Sequence, residues 1–225
     1  MKKQIFITGT DTEVGKTTVS EAISFLLKEN GYTVGYYKPV ETGCEEKCND
    51  AYSLSKITGQ ELTEILSYSF KNPVAPLVAE RIEKKRISIK KIIEDFSFLK
   101  TKYDYLIVEG AGGILVPITK ENGKIYTYLD LVSLLEIPAL IVSRAGLGTI
   151  NHTALTVEVL KNKNIKIKGI VMNGFSGENE ISENTNPQIV EEMTNVSVIA
   201  KILKSQNPFE ESVKSLKNVI WEIFK

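Results

Sequence analysis

Cysteine, histidine and tryptophan are nearly missing from this 225-residue chain, with two, one and one copies. The two cysteines, Cys44 and Cys48, stand four apart in a polar stretch with no histidine and no second pair nearby. That excludes a zinc-finger type cluster and leaves two incidental thiols, expected free in a reducing compartment. The lone His152 has no obvious serine or cysteine nucleophile paired with it, which argues against a hydrolase triad as well. Neither sign of charge is in excess: 28 basic residues balance 28 acidic ones, which argues against long-range attraction to nucleic acid or to an anionic membrane. No apolar run reaches the ~18 residues that a membrane span needs. Only five strand-like residues follow Met1-Lys2-Lys3, too few for the core of a signal peptide, and a cytoplasmic location is expected. Internal repeats and Pro/Ser-rich linkers are also wanting, so residues 1–225 are expected to form a single domain.

What is present concentrates near the start. Residues 4–8 (Gln-Ile-Phe-Ile-Thr) form an apolar run suited to a buried parallel strand, and residues 19–28 place Ala22, Ile23, Phe25, Leu26 and Leu27 on a helical face. Between them lies Gly9-Thr10-Asp11-Thr12-Glu13-Val14-Gly15-Lys16-Thr17. A glycine-bearing loop that opens into a helix aims backbone N–H groups at an anion. Lys16 adds a fixed positive charge for the β- and γ-phosphates of a nucleotide, and Thr17 offers a hydroxyl to Mg²⁺. The general pattern G-x-x-x-x-G-K-[ST] wants its first glycine at position 10, whereas this chain has Gly9.

Strand-like and helix-like segments alternate throughout. Strands are expected at 33–37, stopped by Lys38-Pro39, and at 105–108, 139–142, 167–172 and 196–202. Helices are expected at 50–57, through Glu80 and Ile82, and at 87–99, 129–135, 150–160 and 208–224, with one or two turns at 189–193. A hairpin pairs 114–118 with 124–127 across Asn122-Gly123. Residues 176–186 read as a long polar loop. This order predicts an α/β, single-domain P-loop NTPase-like fold, with a mostly parallel sheet, helices on both faces and ligands beyond the carboxyl ends of the strands.

Several residues fall on that edge. Glu109 ends a hydrophobic strand where a metal-side carboxylate belongs, and Gly110, Ala111, Gly112 and Gly113 follow it, allowing backbone to pass close to a ligand. Lys38 closes the second strand ahead of Pro39-Val40-Glu41-Thr42-Gly43. Asp50 starts a helix, as a cap or as a ligand. Asn173, before Gly174, is suited equally to a turn and to reading the edge of a base. The helix start near Asn151 and His152 presents N–H groups that suit a carboxylate.

Taken together, residues 9–17, Tyr37-Lys38-Pro39-Val40-Glu41-Thr42-Gly43, the run 108–113 and Gly148-Thr149-Ile150-Asn151-His152 resemble the dethiobiotin synthetase family. The resemblance extends from the first strand to about Asn173 and includes the displaced glycine. It implies ATP- and Mg²⁺-dependent closure of a cyclic urea from 7,8-diaminononanoate and CO2 or bicarbonate, by way of a carbamate and a carbamic–phosphoric anhydride. By the same resemblance Lys16 and Lys38 are catalytic. Thr12, Glu13, Val14, Gly15, Lys16, Thr17 and Thr18 wrap the nucleotide, joined by Asp50, Glu109, Gly110, Ala111, Gly112, Asn173 and Gly174. Thr17, Asp50 and Glu109 hold the metal. Thr12, Lys38, Thr42, Gly112 and Asn151 contact the diamine, Asn151 from the second subunit of a homodimer. The chain departs from the family at Ala200-Lys201-Ile202-Leu203, which lacks the Gly and Pro of a purine-lining turn. Two rival functions share the P-loop: an ATP-dependent amidoligase, which needs an ammonia source for which this chain has no room, and a nucleotide-switch ATPase of the ParA/MinD type, whose extra lysine would fall where Thr10 and Asp11 stand.

Overall fold

The computed structural model describes residues 2–177 and 180–225. The chain runs through β1 (Lys3–Gly9), α1 (Lys16–Glu29), β2 (Val34–Thr42), α2 (Asn49–Thr58), α3 (Leu62–Ile65), β3 (Leu66–Phe70), α4 (Pro76–Glu83), α5 (Ile89–Lys102) and β4 (Tyr105–Gly113). It continues through β5 (Pro117–Glu121), β6 (Lys124–Thr127), α6 (Tyr128–Leu135), β7 (Ala139–Arg144), α7 (Thr149–Asn162), β8 (Ile167–Phe175), α8 (Ile181–Thr194), β9 (Val198–Leu203), α9 (Pro208–Leu216) and α10 (Ile220–Ile223). Seven strands make one parallel sheet in the order β3-β2-β4-β1-β7-β8-β9, and β5 and β6 form a separate antiparallel hairpin.

Strand periodicity sorts the core into two layers, because successive side chains leave a strand on opposite faces. Ile5 and Ile7 of β1, Tyr36 of β2, Ile107 of β4 and Leu140 of β7 face α1, α2, α9 and α10. Their immediate neighbours Phe6, Tyr37, Leu106, Val108 and Ile141 face α5, α6, α7 and α8. Helix α1 meets the first layer with Val19, Ala22, Ile23, Leu26 and Leu27, all at least 95% buried, the i, i+3, i+4, i+7, i+8 spacing of one helical face. The expected α/β architecture is therefore present, and no helix among the described residues is long and apolar enough to cross a membrane.

Five local expectations are corrected. Strand β2 does not stop at Lys38-Pro39 but continues to Thr42. Up to Tyr37 it pairs with β4, and from Lys38 it pairs with β3, so Pro39 stands beyond the last β4 pair and its missing N–H costs no ladder bond there. Strand β3 and the turn α3 had no counterpart in the sequence reading. Helix α8 occupies most of the expected polar loop, whose positions 178–179 lie outside the described residues. Its inward side is Glu183, Asn186, Pro187, Val190 and Thr194, so apolar periodicity hardly signals it. The closing helix is two pieces, divided by a turn in which Val219 N–H donates to the Leu216 carbonyl (3.0 Å). That turn sets Ile223 and Phe224 into the core, with the Phe224 ring 4.8 Å from Tyr105. Finally, Cys44 and Cys48 are not free: their Cα atoms lie 4.5 Å apart, within bridging distance, and the sulfurs form a disulfide.

Candidate active site

The loop from β1 to α1 folds back over the end of its own strand. Glu13 (φ 55°) and Gly15 (φ 100°) both take left-handed conformations, and Gly15 caps α1. Only glycine suits position 15, since a Cβ there would lie 2.2 Å from Asn173 Nδ2. The displaced first glycine has a similar cause. A Cβ at Gly9 would lie 2.7 Å from the Asp11 carbonyl oxygen and 3.0 Å from Lys16 Nζ. Lys16 donates to that Asp11 carbonyl (3.1 Å), Thr12 N–H donates to Asp11 Oδ1 (2.8 Å), and Arg144 Nη2 pairs with Asp11 Oδ2 (3.0 Å). Asn173 Nδ2 donates to the Val14 carbonyl at 3.0 Å and braces the loop from β8.

Beside the loop stands a buried ionic cluster. Glu109, at the end of the β4 hydrophobic run, is wholly buried. Its Oε1 accepts from Thr17 Oγ1 (2.9 Å) and Lys38 Nζ (3.0 Å), and its Oε2 from Ser20 Oγ (2.7 Å). Lys38 also pairs with Asp50. Lys38 comes here as the first β2 residue paired with β3, and the continuation of the strand past Pro39 delivers Glu41 as well. Both Glu41 oxygens accept N–H groups of the first turn of α2, from Asp50 and Ala51 at 3.0 Å each. A carboxylate at a helix N-terminus is well placed electrostatically, so Glu41 ties Asp50 to the strand that carries Lys38.

The two lysines are poised differently. Burial disfavours the Lys38 ammonium, but Glu109 and Asp50 outweigh it and hold its pKa above the usual lysine range. Burial lowers the Lys16 pKa, and the positive charge of Lys38 lowers it further, with Glu109 opposing both. Lys16 is thus the cation with the more to gain from an incoming polyanion.

These groups line one cavity of about 690 Å³ beyond the carboxyl ends of β1, β2 and β4. Of the residues expected in a site, Thr12, Glu13, Gly15, Lys16, Thr17, Thr18, Lys38, Thr42, Asp50, Glu109, Ala111 and Gly112 line it. Val14 is buried beneath the loop, and Gly110 faces Phe6 and Tyr128. Asn173 and Gly174 lie outside the lining, Asn173 behind the loop. Asn151 lines a second cavity of about 380 Å³ between α7 and α8. Sequence reasoning passed over Ser20, one helical turn after Thr17, and the role of Glu41. It also passed over the apolar wall Pro73–Pro76 with Val116, which faces the ionic cluster across the cavity. The i+3 spacing from Thr17 was the one usable signal for Ser20.

The donor set suits a hard divalent cation. Thr17 Oγ1, Glu109 and Asp50 all offer oxygen donors, the kind such an ion takes, and both carboxylates are held here by the Lys38 ammonium. A Mg²⁺ ion shared with nucleotide phosphates needs no more than this from the protein.

Residues 3–207 match the family model described as an AAA domain. The ATP-dependent dethiobiotin synthetase BioD of Aquifex aeolicus (strain VF5) is 47% identical over 193 residues, covering 86% of each chain. That of Clostridium perfringens (strain 13 / Type A) is 35% identical, covering 99% of this chain and 100% of the relative. Among solved structures, the MinC:MinD cell division protein complex of Aquifex aeolicus aligns with a TM-score of 0.61 at 17% identity, covering 98% of this chain and 93% of that one. A ParA family ATPase from Chlorobium tepidum TLS aligns with a TM-score of 0.60 at 13% identity, covering 99% of each. At such identities the structural likeness bears on fold alone. The sequence relatives bear on family: the chain belongs to the ATP-dependent dethiobiotin synthetases.

Proposed function

We propose that this chain, working as one domain, closes a cyclic urea on a vicinal diamine, 7,8-diaminononanoate, using CO2 and ATP, the ring-forming step that yields dethiobiotin for biotin synthesis. The observation that carries the reading is the meeting of Lys16, at the start of α1, and Lys38, from β2, on one cavity with Glu109 paired to Lys38. A carbamate formed from one amine and CO2 is a poor acylating group until one of its oxygens is phosphorylated. Transfer of the γ-phosphoryl group supplies that leaving group, and the second amine, already held beside the carbonyl carbon, closes the ring and expels phosphate. Holding both amines in one site makes the closure unimolecular, an advantage of several kcal/mol or more. Lys16 and the N–H groups of the loop bind the phosphates. Lys38 stays protonated and offsets negative charge on the carbamate and on the phosphoryl group in transfer. Thr12, Thr42 and Gly112 bound the diamine end of the cavity, with the apolar wall 73–76 available to its methylenes. Bound Mg²⁺, held by Thr17, Asp50 and Glu109, would neutralise phosphate charge. With Nδ2 engaged by Val14, Asn173 has its Oδ1 left to meet a base.

Asn151 does not line this cavity, so its contact with the substrate carboxylate requires a second copy of the chain. Leu155 and Met193, 58% and 61% exposed beside Asn151, give such a copy an apolar surface to cover. Our reading is accordingly of a homodimer acting in the cytoplasm. The test is phosphate release from MgATP and bicarbonate with and without the diamine. Release that depends on the diamine, with a product of the cyclic urea's mass, is the expected result. Steady hydrolysis indifferent to the diamine would sink the reading.

A further inference from the structure

The Cys44–Cys48 disulfide spans the connection between β2, which carries Lys38, and α2, which carries Asp50. Its two ends are tied to different elements. Cys44 N–H donates to the Phe70 carbonyl at 2.9 Å, which fixes that end to β3. Cys48 is the N-cap of α2, and its carbonyl accepts the first helical hydrogen bond, from Tyr52 N–H at 2.9 Å. The intervening residues 45–47 are exposed and both cysteines are only half-buried, so a small reagent can approach the sulfurs from solvent. Glu41 and the disulfide therefore hold the same helical turn by separate means, one by hydrogen bonds and one covalently.

We propose that Cys44 and Cys48 form a thiol–disulfide exchange site for small-molecule disulfides, and that its oxidation state sets how firmly the first turn of α2, with Asp50, is held against Lys38. In the oxidising direction one protein thiolate attacks a sulfur of the small disulfide RSSR and expels RS⁻, leaving a mixed disulfide. The second protein thiolate attacks the protein-side sulfur and expels the second RS⁻. The two cysteines together lose two electrons, RSSR gains them, and the two thiol protons end on two RSH. The bridge closes a ring in the connection between Thr42 and Asp50, which both line the active-site cavity, so its consequence is local: it restricts the hinge between strand and helix. A soft metal ion is the rival occupant, since ligand atoms of Glu41, Cys44 and Cys48 lie within 4.8 Å of one another. Both Glu41 oxygens already accept N–H groups from Asp50 and Ala51, which leaves two thiolates and favours the disulfide.

The effect on turnover rests on Asp50 being a metal ligand, whereas the chemistry at the sulfurs does not. The intact chain is oxidised with glutathione disulfide or reduced with dithiothreitol. The two forms are then compared by mass after iodoacetamide, by hydrogen exchange over residues 49–54, and by Mg²⁺ titration of diamine-dependent turnover. The oxidised form should take no alkyl group and the reduced form two, with faster exchange in the first turn of α2. The Mg²⁺ concentration for half-maximal turnover should rise roughly threefold to tenfold on reduction, the scale of a lost helix-cap constraint. A double Cys44→Ser, Cys48→Ser variant should match the reduced form in either buffer. Equal exchange in the two wild-type forms overturns the proposal, and so do reduced thiols that added Zn²⁺ shields from iodoacetamide. Should neither form turn over the diamine, the functional reading falls, while thiol counts and exchange still decide the proposal.

Discussion

At the scale of single residues, Lys38 and Gly15 carry the sharpest expectations. Lys38→Ala removes the cation that offsets charge on the reacting carbamate and phosphoryl group, while the loop that grips the nucleotide is untouched. Turnover should fall about 10²- to 10³-fold with ATP affinity little changed, measured by product formation beside nucleotide titration. The same substitution leaves Glu109 and Asp50 facing each other without their shared partner. Added Mg²⁺ should therefore raise the melting temperature of the variant more than that of the wild type. Equal loss of ATP binding and turnover would reassign Lys38 to structure. Gly15→Ala acts on the other cation. A methyl group at φ 100° is strained, by about 1–3 kcal/mol, and would displace the Asn173 amide that braces Val14. ATP binding should weaken by tenfold or more in a direct titration, and a variant that binds normally would show that the loop readily finds another shape. Gly15 was legible because gripping phosphate dictates residue type at fixed spacing, whereas the role of Lys38 came from the family resemblance, its strand-end position alone fitting an ordinary lysine as well. Ser20 and Glu41 were not, since their roles come from what lies opposite them: Glu109 from a strand 89 residues away, and the first turn of α2.

Among elements, legibility followed the source of stability. The central strands and α1 announce themselves because their burial is apolar and periodic. Strand β3 (Leu-Ser-Tyr-Ser-Phe) lies at the sheet edge with only Phe70 fully buried, too short and too polar a pattern to stand out. Helix α8 draws on hydrogen bonds that no local pattern encodes. Glu183 accepts from Ser176 N–H at 2.7 Å, and Asn186 Nδ2 donates to the Ala145 carbonyl at 2.8 Å. It also tolerates Pro187 in its interior, normally a reason to end a helix. Helix α6 is the opposite case, with its start written locally. Thr127 and Asp130 form a reciprocal capping box, and Lys124 pairs with Asp130 at 2.9 Å. Asp130→Ala should cost about 1 kcal/mol of stability at neutral pH. Partial burial pushes the Asp130 carboxyl up, but the Thr127 donors and Lys124 outweigh it and hold its pKa below the ordinary aspartate value of 3.8. Its contribution is therefore present above that value and lost as pH falls through the depressed one. Urea melts at pH 7 and near pH 3 should show the gap between wild type and variant shrinking with acid. A gap that stays constant would mean that packing, rather than the cap, is what the substitution removes.

For the whole molecule, the sheet order explains why one half of the chemistry is assembled and the other is not. Strands β2, β4 and β1 are neighbours, so the groups at their carboxyl ends converge without further device. The start of α7 follows β7, on the far side of β1, and Asn151 opens onto the second cavity instead. If that residue serves the substrate of another copy, the apolar surface around it must be covered for turnover but not for ATP binding. Leu155→Glu with Met193→Glu places two carboxylates on that surface, beside the existing Glu158. Like charges facing one another across a two-fold contact disfavour it by several kcal/mol. Sedimentation should then show single chains, with ATP affinity retained because the loop 9–17 and its cavity belong wholly to one copy. Diamine-dependent turnover should fall, mainly through a raised KM, since what is lost is the grip on the far end of the substrate. A variant that sediments as single chains yet keeps the wild-type KM would show that each copy holds its substrate alone. Asn151 would then have no part in the reaction.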